Sequence, residues 1–150
     1  MSTRFRAVAV WVAGGALSVV TATAIVAVFG WLVYGSIHAV PALAAGRTVI
    51  SDPSAVWAGD LHVGERKPVS FSLINLDSRP LAIIGMGANC TCVQVDQIPL
   101  EIPPRSTRSV RVWVSPLSSQ AEMPFLQKIN LYTSTEDCSI SIIVRGKVLR

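Results

Sequence analysis

An uncharged stretch near the amino terminus constrains the fold more than any other feature. Residues 7–34 contain no Asp, Glu, Lys or Arg, a run of 28 residues in a chain of 150. As an α-helix this run would be about 42 Å long, whereas the hydrocarbon core of a bilayer is about 30 Å thick. The sequence therefore predicts one transmembrane helix over residues 7–34.

The charges around this stretch predict its orientation. Arg4 and Arg6 precede it, and the next Lys or Arg is Arg47. Because positively charged flanks stay on the cytoplasmic side, residues 1–6 are expected inside the cell and the C-terminal domain outside. The expected location is the cytoplasmic (inner) membrane, single-pass, with the domain in the periplasm or the extracellular space.

A cleaved signal peptide is the alternative interpretation of the same stretch. Ala42, Leu43 and Ala44 form an A-x-A pattern, so that cleavage would follow Ala44. The apolar region of a signal peptide usually has about 7–15 residues, however, which is far shorter than this run. An uncleaved anchor is therefore preferred, with residues 35–48 as a stalk and residues 49–150 as the exported domain.

The exported domain shows the alternation that is typical of β-strands with one buried face. The runs are residues 54–58, 67–75, 81–86, 91–95, 107–114, 127–133 and 139–148. The apolar positions expected to face the core are Val69, Phe71, Leu73, Val110, Val112, Val114, Ile129, Leu131, Ile140, Ile142 and Val144. Short strands roughly ten residues apart indicate a mainly β fold, a seven-stranded immunoglobulin-like sandwich preceded by one transmembrane α-helix.

Short motifs in this domain follow the order of a known family. A Gly64-Glu65 turn leads into a strand that ends in Asn75. The motifs that follow are Pro80-Leu81-Ala82-Ile83, Cys90-Thr91-Cys92, Pro103-Pro104 and Arg145-Gly146-Lys147-Val148. This order resembles a bacterial immunoglobulin-like family of unknown function, related to the abnormal-spindle and hydin-type domains. The chain departs from its pattern at Thr91 and Arg105, where the family has Gly. The resemblance implies a fold and no particular reaction.

The three cysteines, Cys90, Cys92 and Cys138, are candidates for a disulfide. Thiols of exported domains usually form disulfides, and an odd number leaves one thiol over or pairs it between chains. Cys90 and Cys92 are expected on one face of a strand edge, because residues two apart in a strand point the same way. Cys138 is expected at the start of the last strand, so a bond from Cys138 to either Cys90 or Cys92 across the sandwich is the pairing considered, and the sequence does not show their separation.

A thiol-based site is the alternative function. Thiolates from Cys90, Cys92 and Cys138 would suit a soft ion such as Cu(I), with Met86 and Met123 as further sulfur ligands. A Cys-x-Cys pair is also able to exchange disulfides. A structural zinc site normally has four ligands, and neither histidine lies near a cysteine in sequence. No metal and no other cofactor is therefore predicted.

Groups for catalysis are sparse. His62 has Asp60 and Glu65 nearby, but no nucleophile motif such as G-x-S-x-G accompanies it. The net charge of +4 is spread along the chain without a run of Lys and Arg, which argues against nucleic-acid binding. The sequence therefore predicts a protein that is not an enzyme and has no small-molecule substrate.

Three residues are candidates for a protein interface. Alternation places Trp113 and Arg111 on the solvated face of their strand, and Trp57 is the third candidate. An exposed Trp beside an Arg is enriched at interface hot spots, although Trp113 under a loop or at a sheet edge is the alternative. The predicted function is a membrane-anchored, non-enzymatic interaction or scaffold domain. It would be an accessory subunit of a membrane complex and would bind other membrane or periplasmic proteins.

Overall fold

In a computed structural model of the chain, the described residues are 3–134 and 139–149, with side chains described from Ser18 onward. The helices in this part are α1 Thr3–Tyr34, α2 Ala39–Ala44 and a short 3₁₀ helix, Ser118–Gln120. The strands are β1 Val49–Asp52, β2 Ala55–His62, β3 Lys67–Asn75, β4 Leu81–Ala88, β5 Val93–Val95, β6 Leu100–Ile102, β7 Thr107–Val114, β8 Pro124–Thr133 and β9 Ser139–Leu149.

The first helix covers the uncharged stretch. It is 32 residues long and includes all of residues 7–34. It ends at Tyr34, and the next residue, Gly35, takes the left-handed backbone conformation (φ 70°) that commonly terminates a helix. In the part of the chain that the structure describes, no helix is long and apolar enough to cross a membrane.

The strands form two sheets that pack face to face. One sheet has four strands in the order β1-β3-β7-β5, and the other has five in the order β2-β9-β8-β4-β6. All the pairs are antiparallel except β2 with β9, which run parallel. This arrangement corresponds to the A-B-E-D and C-F-G sheets of an immunoglobulin-like sandwich, so the predicted fold type is confirmed.

The prediction of seven strands was wrong, because the described residues form nine. The two additional strands are β1, with four residues, and β6, with three. Alternation needs more than three or four residues to be recognised in a sequence. Prolines also lie directly beside both strands, Pro53 after β1 and Pro99 and Pro103 around β6, and prolines usually indicate loops.

The main core lies between the two sheets and consists of the alternating apolar side chains. The expected inward positions on β3, β7, β8 and β9 are all buried, with Leu73, Val112 and Leu131 fully inaccessible. Burying one such side chain contributes about 1.5–3 kcal/mol relative to leaving it exposed. The prediction of which face of each of these strands points inward is confirmed.

One buried polar residue connects three segments at the end of the sandwich. The amide of Asn75 is fully buried and donates to the carbonyl oxygens of Arg79, Ile102 and Pro103 at 2.8, 3.1 and 3.2 Å. Its carbonyl oxygen accepts the backbone N–H of Asp77 at 3.0 Å. Through these hydrogen bonds, Asn75 holds the end of β3, the following turn and β6 together.

The segment between the first helix and the sandwich is itself packed against a sheet. Residues 35–48, predicted as a stalk, contain α2. Ala39 of α2 is fully buried and lies in a second small core with Ile50, Ile74 and Leu76. Ile50 and Ile74 are cross-strand partners on β1 and β3. They point away from the main core, so α2 covers this end of the outer face of the four-stranded sheet.

The same segment also contacts the first helix closely. At Gly30 of α1, an added Cβ would lie 3.0 Å from the carbonyl oxygen of Ser36 and 3.3 Å from Cγ2 of Val40. The buried hydroxyl of Ser36 donates a hydrogen bond to the carboxylate of Asp52 on β1. It also accepts the backbone N–H of His38 at 3.2 Å. These contacts join the end of α1 to the edge of the sandwich.

Candidate functional site

Trp113 lies on the outer face of the four-stranded sheet, as alternation predicts, but its side chain already has partners. Its indole Nε1–H donates to a carboxylate oxygen of Asp96 at 2.6 Å. The guanidinium of Arg66 lies 4.7 Å from the ring centroid, within the range of a cation–π contact. Arg66 is in turn bonded to the side-chain oxygen of Gln94 at 3.1 Å. Trp113 is therefore half-buried rather than fully solvated.

Arg111, the second predicted interface residue, lies two positions before Trp113 on β7. It is exposed and faces Ser70 of β3 in the register of the sheet. Its carbonyl oxygen accepts the backbone N–H of Asp96 at 3.1 Å, which helps to place the Asp96 carboxylate beside the indole. The backbone of Arg111 thus supports the Trp113 contact, while its side chain points to solvent.

Trp57, the third predicted interface residue, has a different environment on the opposite face of the molecule. It lies on β2, the edge strand of the five-stranded sheet, and 67% of its side chain is exposed. In the sheet register Trp57 is beside Arg145 of β9, and Arg145 is beside Leu126 of β8. Leu126 is 61% exposed. An apolar, a cationic and an apolar residue therefore lie side by side across three strands.

The neighbouring row of the same sheet extends this surface. Ala55, Ile143 and Lys128 are cross-strand neighbours two positions away from the first row, on the same face. We refer to the six residues as the Trp57 face: Ala55, Trp57, Leu126, Lys128, Ile143 and Arg145. Two of them are cations and none is a carboxylate. In the described part of the chain, no hydrogen bond or ion pair is formed by the side chains of Trp57, Lys128 or Arg145.

Most members of the Trp57 face cannot be recognised from the sequence alone. Leu126, Lys128, Ile143 and Arg145 lie in the predicted strand runs or next to them, but they were not recognised as one surface. The cross-strand register brings them together, and one sequence without an alignment does not reveal that register. The available signal was the outward position of each residue within its own strand.

Cys90 and Cys92 are joined to each other by a disulfide, with their Cα atoms 5.2 Å apart. The expectation that they lie on a strand edge was wrong: they occupy the turn between β4 and β5, where Thr91 is exposed. Cys92 is 2% exposed, whereas Cys90 is half-buried. Cys138, the third predicted disulfide candidate, lies outside the described residues.

The disulfide bears on the alternative prediction of a copper site at Cys90, Cys92 and Cys138 with Met86 and Met123. Cu(I) binds thiolates, and two sulfurs bonded to each other are not thiolates. Met86 packs against the main core, while Met123 is 55% exposed in the loop before β8. Among the described residues, no three or more His, Cys, Asp or Glu side chains are grouped as metal ligands would be.

A cleft lies beside α2. It has a volume of about 850 Å³ and is bounded by α2, β1 and the start of β9, with His38, Arg47 and Asp52 in its lining. Ser36 is 3% exposed and its hydroxyl is bonded to the Asp52 carboxylate, so it is neither accessible nor aligned with a histidine as a nucleophile requires. His62, the histidine considered for catalysis in the sequence, is exposed at the end of β2 and does not line this cleft.

Asp77 has a perturbed pKa in the turn after β3. The hydrogen bond from the Arg79 side chain, at 3.2 Å, is the largest cause and holds the pKa of Asp77 below its ordinary value. Backbone N–H groups of Ser78 and Arg79 act in the same direction, and partial desolvation opposes them. The hydrogen bonds of Asp77 stabilise the turn, and Asp77 belongs neither to the Trp57 face nor to the contacts of Trp113.

Comparison with known proteins supports the fold and does not assign a family. No protein-family model matches the sequence, and no curated protein matches it. A protein of unknown function from Porphyromonas gingivalis W83 matches with a TM-score of 0.55 and 19% identity, over 71% of this chain and 50% of that protein.

Two enzymes contain a region of similar structure. A family 123 glycoside hydrolase from Clostridium perfringens matches with a TM-score of 0.53 and 7% identity, over 65% of this chain and 23% of that one. The VesB protease of Vibrio cholerae matches with a TM-score of 0.50 and 18% identity, over 71% and 33%. The chain thus spans only about a quarter to a half of the length of these three matched proteins. At such low identity the similarity shows a shared immunoglobulin-like sandwich and nothing about activity.

Proposed function

We propose that this protein is a non-enzymatic interaction domain, held at the outer side of the cytoplasmic membrane by α1, and that the Trp57 face binds its partner. The observation that carries the proposal is the row of Trp57, Arg145 and Leu126. Trp and Arg are enriched at interface hot spots, and the exposed Leu extends the apolar surface beside them. An accessory subunit of a membrane complex is the role that we infer.

The membrane anchor in this proposal rests on the sequence. A run of 28 uncharged residues at 7–34, with Arg4 and Arg6 before it, favours a single-pass helix with its amino terminus inside the cell. The sandwich would then lie in the periplasm or the extracellular space. Membership of the bacterial immunoglobulin-like family named above is part of the same proposal, and it rests on the order of the motifs.

Charge indicates the chemistry of the partner. The Trp57 face carries Lys128 and Arg145 and no carboxylate, so its complement is a protein surface with an apolar centre and Asp or Glu around it. Burying the indole of Trp57 and the side chain of Leu126 would supply most of the affinity, and the cations would set orientation and association rate. We therefore infer that the partner is a membrane or exported protein with an acidic, partly apolar patch.

The experiment is a purification of the tagged full chain in mild detergent, followed by mass spectrometry of the proteins that remain bound. Trp57→Thr is the test variant. Trp113→Thr on the opposite face is the control, used under conditions in which circular dichroism shows that it is folded. We expect the Trp57 variant to lose the partner by at least about tenfold, since hot-spot truncations cost about 2 kcal/mol or more. The control should retain it.

Charge reversal distinguishes the proposed partner from an incidental contaminant. Arg145→Glu should abolish recovery of the same protein, and raised salt should weaken its binding to the unmodified chain. Recovery that is equal for the unmodified chain and for both Trp57→Thr and Arg145→Glu would exclude the Trp57 face. Binding of the purified chain to anionic vesicles instead of to any protein would replace the protein partner with a lipid surface.

The anchor has its own test. After cell fractionation, the full chain should sediment with membranes and resist extraction at high pH, and the sandwich should be cleaved by protease added to spheroplasts. Recovery in the soluble fraction, or protection of the sandwich from the protease, would contradict the proposed location.

A further inference from the structure

We propose that Cys90 and Cys92 form a thiol–disulfide exchange site, with Cys90 as the sulfur that bonds to the partner molecule. This proposal is independent of the interaction role, because it rests on the turn between β4 and β5 and uses no residue of the Trp57 face. The partner class is an exported protein that carries a disulfide or a pair of thiols.

The two sulfurs differ in accessibility. Cys92 is 2% exposed and lies within the main core, whereas Cys90 is half-buried and packs against the edge of that core. The neighbours Asn89 and Thr91 are both exposed, so the approach to Cys90 is not covered by its own turn. Cys90 is therefore the more accessible residue of the pair, and such an asymmetry is what separates an attacking sulfur from a resolving one.

The backbone of the turn places a hydrogen-bond donor at the sulfur of Cys90. The backbone N–H of Cys92 points at Sγ of Cys90, with a distance of 3.3 Å between nitrogen and sulfur. Hydrogen bonds to the charged form of a group favour that form, and the thiolate is the reactive form of cysteine. The carbonyl oxygen of Cys92 accepts the backbone N–H of Ser115 at 2.8 Å, which anchors the buried half of the pair to the segment after β7.

A purely structural role explains this disulfide poorly. The stabilisation that a disulfide gives by restricting the unfolded chain grows with the length of the loop it closes. Here the two cysteines are separated by two positions, so the closed loop has almost the shortest length available. A disulfide that holds distant segments together would have been expected if stability were its purpose.

The exchange reaction balances without any further cofactor. In the reduced pair, the Cys90 thiol loses its proton and its sulfur attacks a partner disulfide. A mixed disulfide forms, and the partner's second sulfur leaves as a thiolate and takes up a proton. The Cys92 thiol then loses its proton, and its sulfur attacks Sγ of Cys90. This step forms the Cys90–Cys92 bond and releases the partner's first sulfur, which is protonated to a thiol. Two electrons pass to the partner, and the reverse sequence oxidises a partner dithiol.

The test uses the full chain purified in detergent, with Cys138→Ser as the background so that the third thiol does not react. Oxidised glutathione is the probe. In this background, Cys92→Ser leaves Cys90 alone and should form the mixed disulfide with glutathione at least about tenfold faster than Cys90→Ser, which leaves only the buried Cys92. Mass spectrometry after acid quenching gives the two rates, and circular dichroism verifies that both variants are folded. Equal rates in two folded variants would overturn the proposal.

A second measurement needs neither single-cysteine variant and covers the case in which one of them fails to fold. The chain with only Cys138→Ser is equilibrated with mixtures of reduced and oxidised glutathione, and free thiols are alkylated and counted. We expect the pair to pass reversibly between two thiols and one disulfide while the sandwich stays folded. A pair that remains oxidised in every mixture until urea unfolds the chain would be a structural disulfide. Neither result depends on whether a protein binds to the Trp57 face.

Discussion

Trp113 and Trp57 lie on opposite outer faces of one sandwich, and the structure treats them differently. The indole N–H of Trp113 is bonded to Asp96, and Arg66 covers its ring. Trp57 is 67% exposed beside Arg145 and has no comparable partners in the described residues. Both residues are tryptophans on outward positions of a strand. The difference teaches that an outward Trp beside an Arg is available to a partner only when its side chain is not already bonded within the molecule.

The largest expected effect on stability is at Trp113. Trp113→Thr removes the half-buried ring, the hydrogen bond to Asp96 and the contact with Arg66, and it keeps a residue that is compatible with a strand. We expect the free energy of unfolding to fall by about 2–3 kcal/mol. Urea unfolding of the full chain in detergent, followed by circular dichroism, measures it. A loss below about 0.5 kcal/mol would mean that the contacts of Trp113 do not stabilise the fold.

An intermediate loss of stability is expected on substitution of Asp96. This substitution removes the hydrogen bond to the indole and leaves the burial of the Trp113 ring in place. Asp96→Ala removes the acceptor of the indole N–H and should lower the free energy of unfolding by about 1.5 kcal/mol. Asp96→Asn is the matched control, because it keeps a neutral side-chain oxygen as the acceptor and should cost less. If both substitutions cost the same amount in the urea experiment, the hydrogen bond is not the source of the stability.

The smallest effect on stability is expected at Trp57. Trp57→Thr should change the free energy of unfolding by no more than about 0.5 kcal/mol, because an exposed side chain on an edge strand has few contacts to lose. The same urea experiment compares it directly with Trp113→Thr. A cost as large as that of Trp113 would remove the contrast between the two faces, and it would also remove Trp57→Thr as a clean test of binding.

How far the sequence predicts this structure depends on the scale of the feature. Alternation predicts the inward faces of β3, β7, β8 and β9 because these strands are long and have one buried face. It does not predict β1 and β6, which are too short to show a period. It also places Trp113 outward correctly and still misjudges its exposure. Asp96 lies 17 residues before Trp113, and only the pairing of β5 with β7 brings them together.

The cysteines show the same limit at a shorter range. Their spacing correctly indicated that Cys90 and Cys92 are near each other. It did not indicate that the chain leaves the strand before Cys90, or that one sulfur is buried and the other accessible. Those properties depend on where β4 ends and how the turn packs on the core. The spacing of the cysteines therefore predicted which residues are candidates for a thiol site. Their burial and their place in the turn, which the spacing does not show, distinguish the roles of Cys90 and Cys92.

The packing of α2 has a mechanical consequence. Gly30 lies against Ser36 and Val40, and Ala39 packs α2 onto Ile50 and Ile74, so a continuous series of contacts connects α1 to the sandwich. If these contacts persist, a rotation of α1 about its long axis rotates the sandwich and Trp57 with it. The molecules that pack against α1 would thereby set the orientation of the Trp57 face.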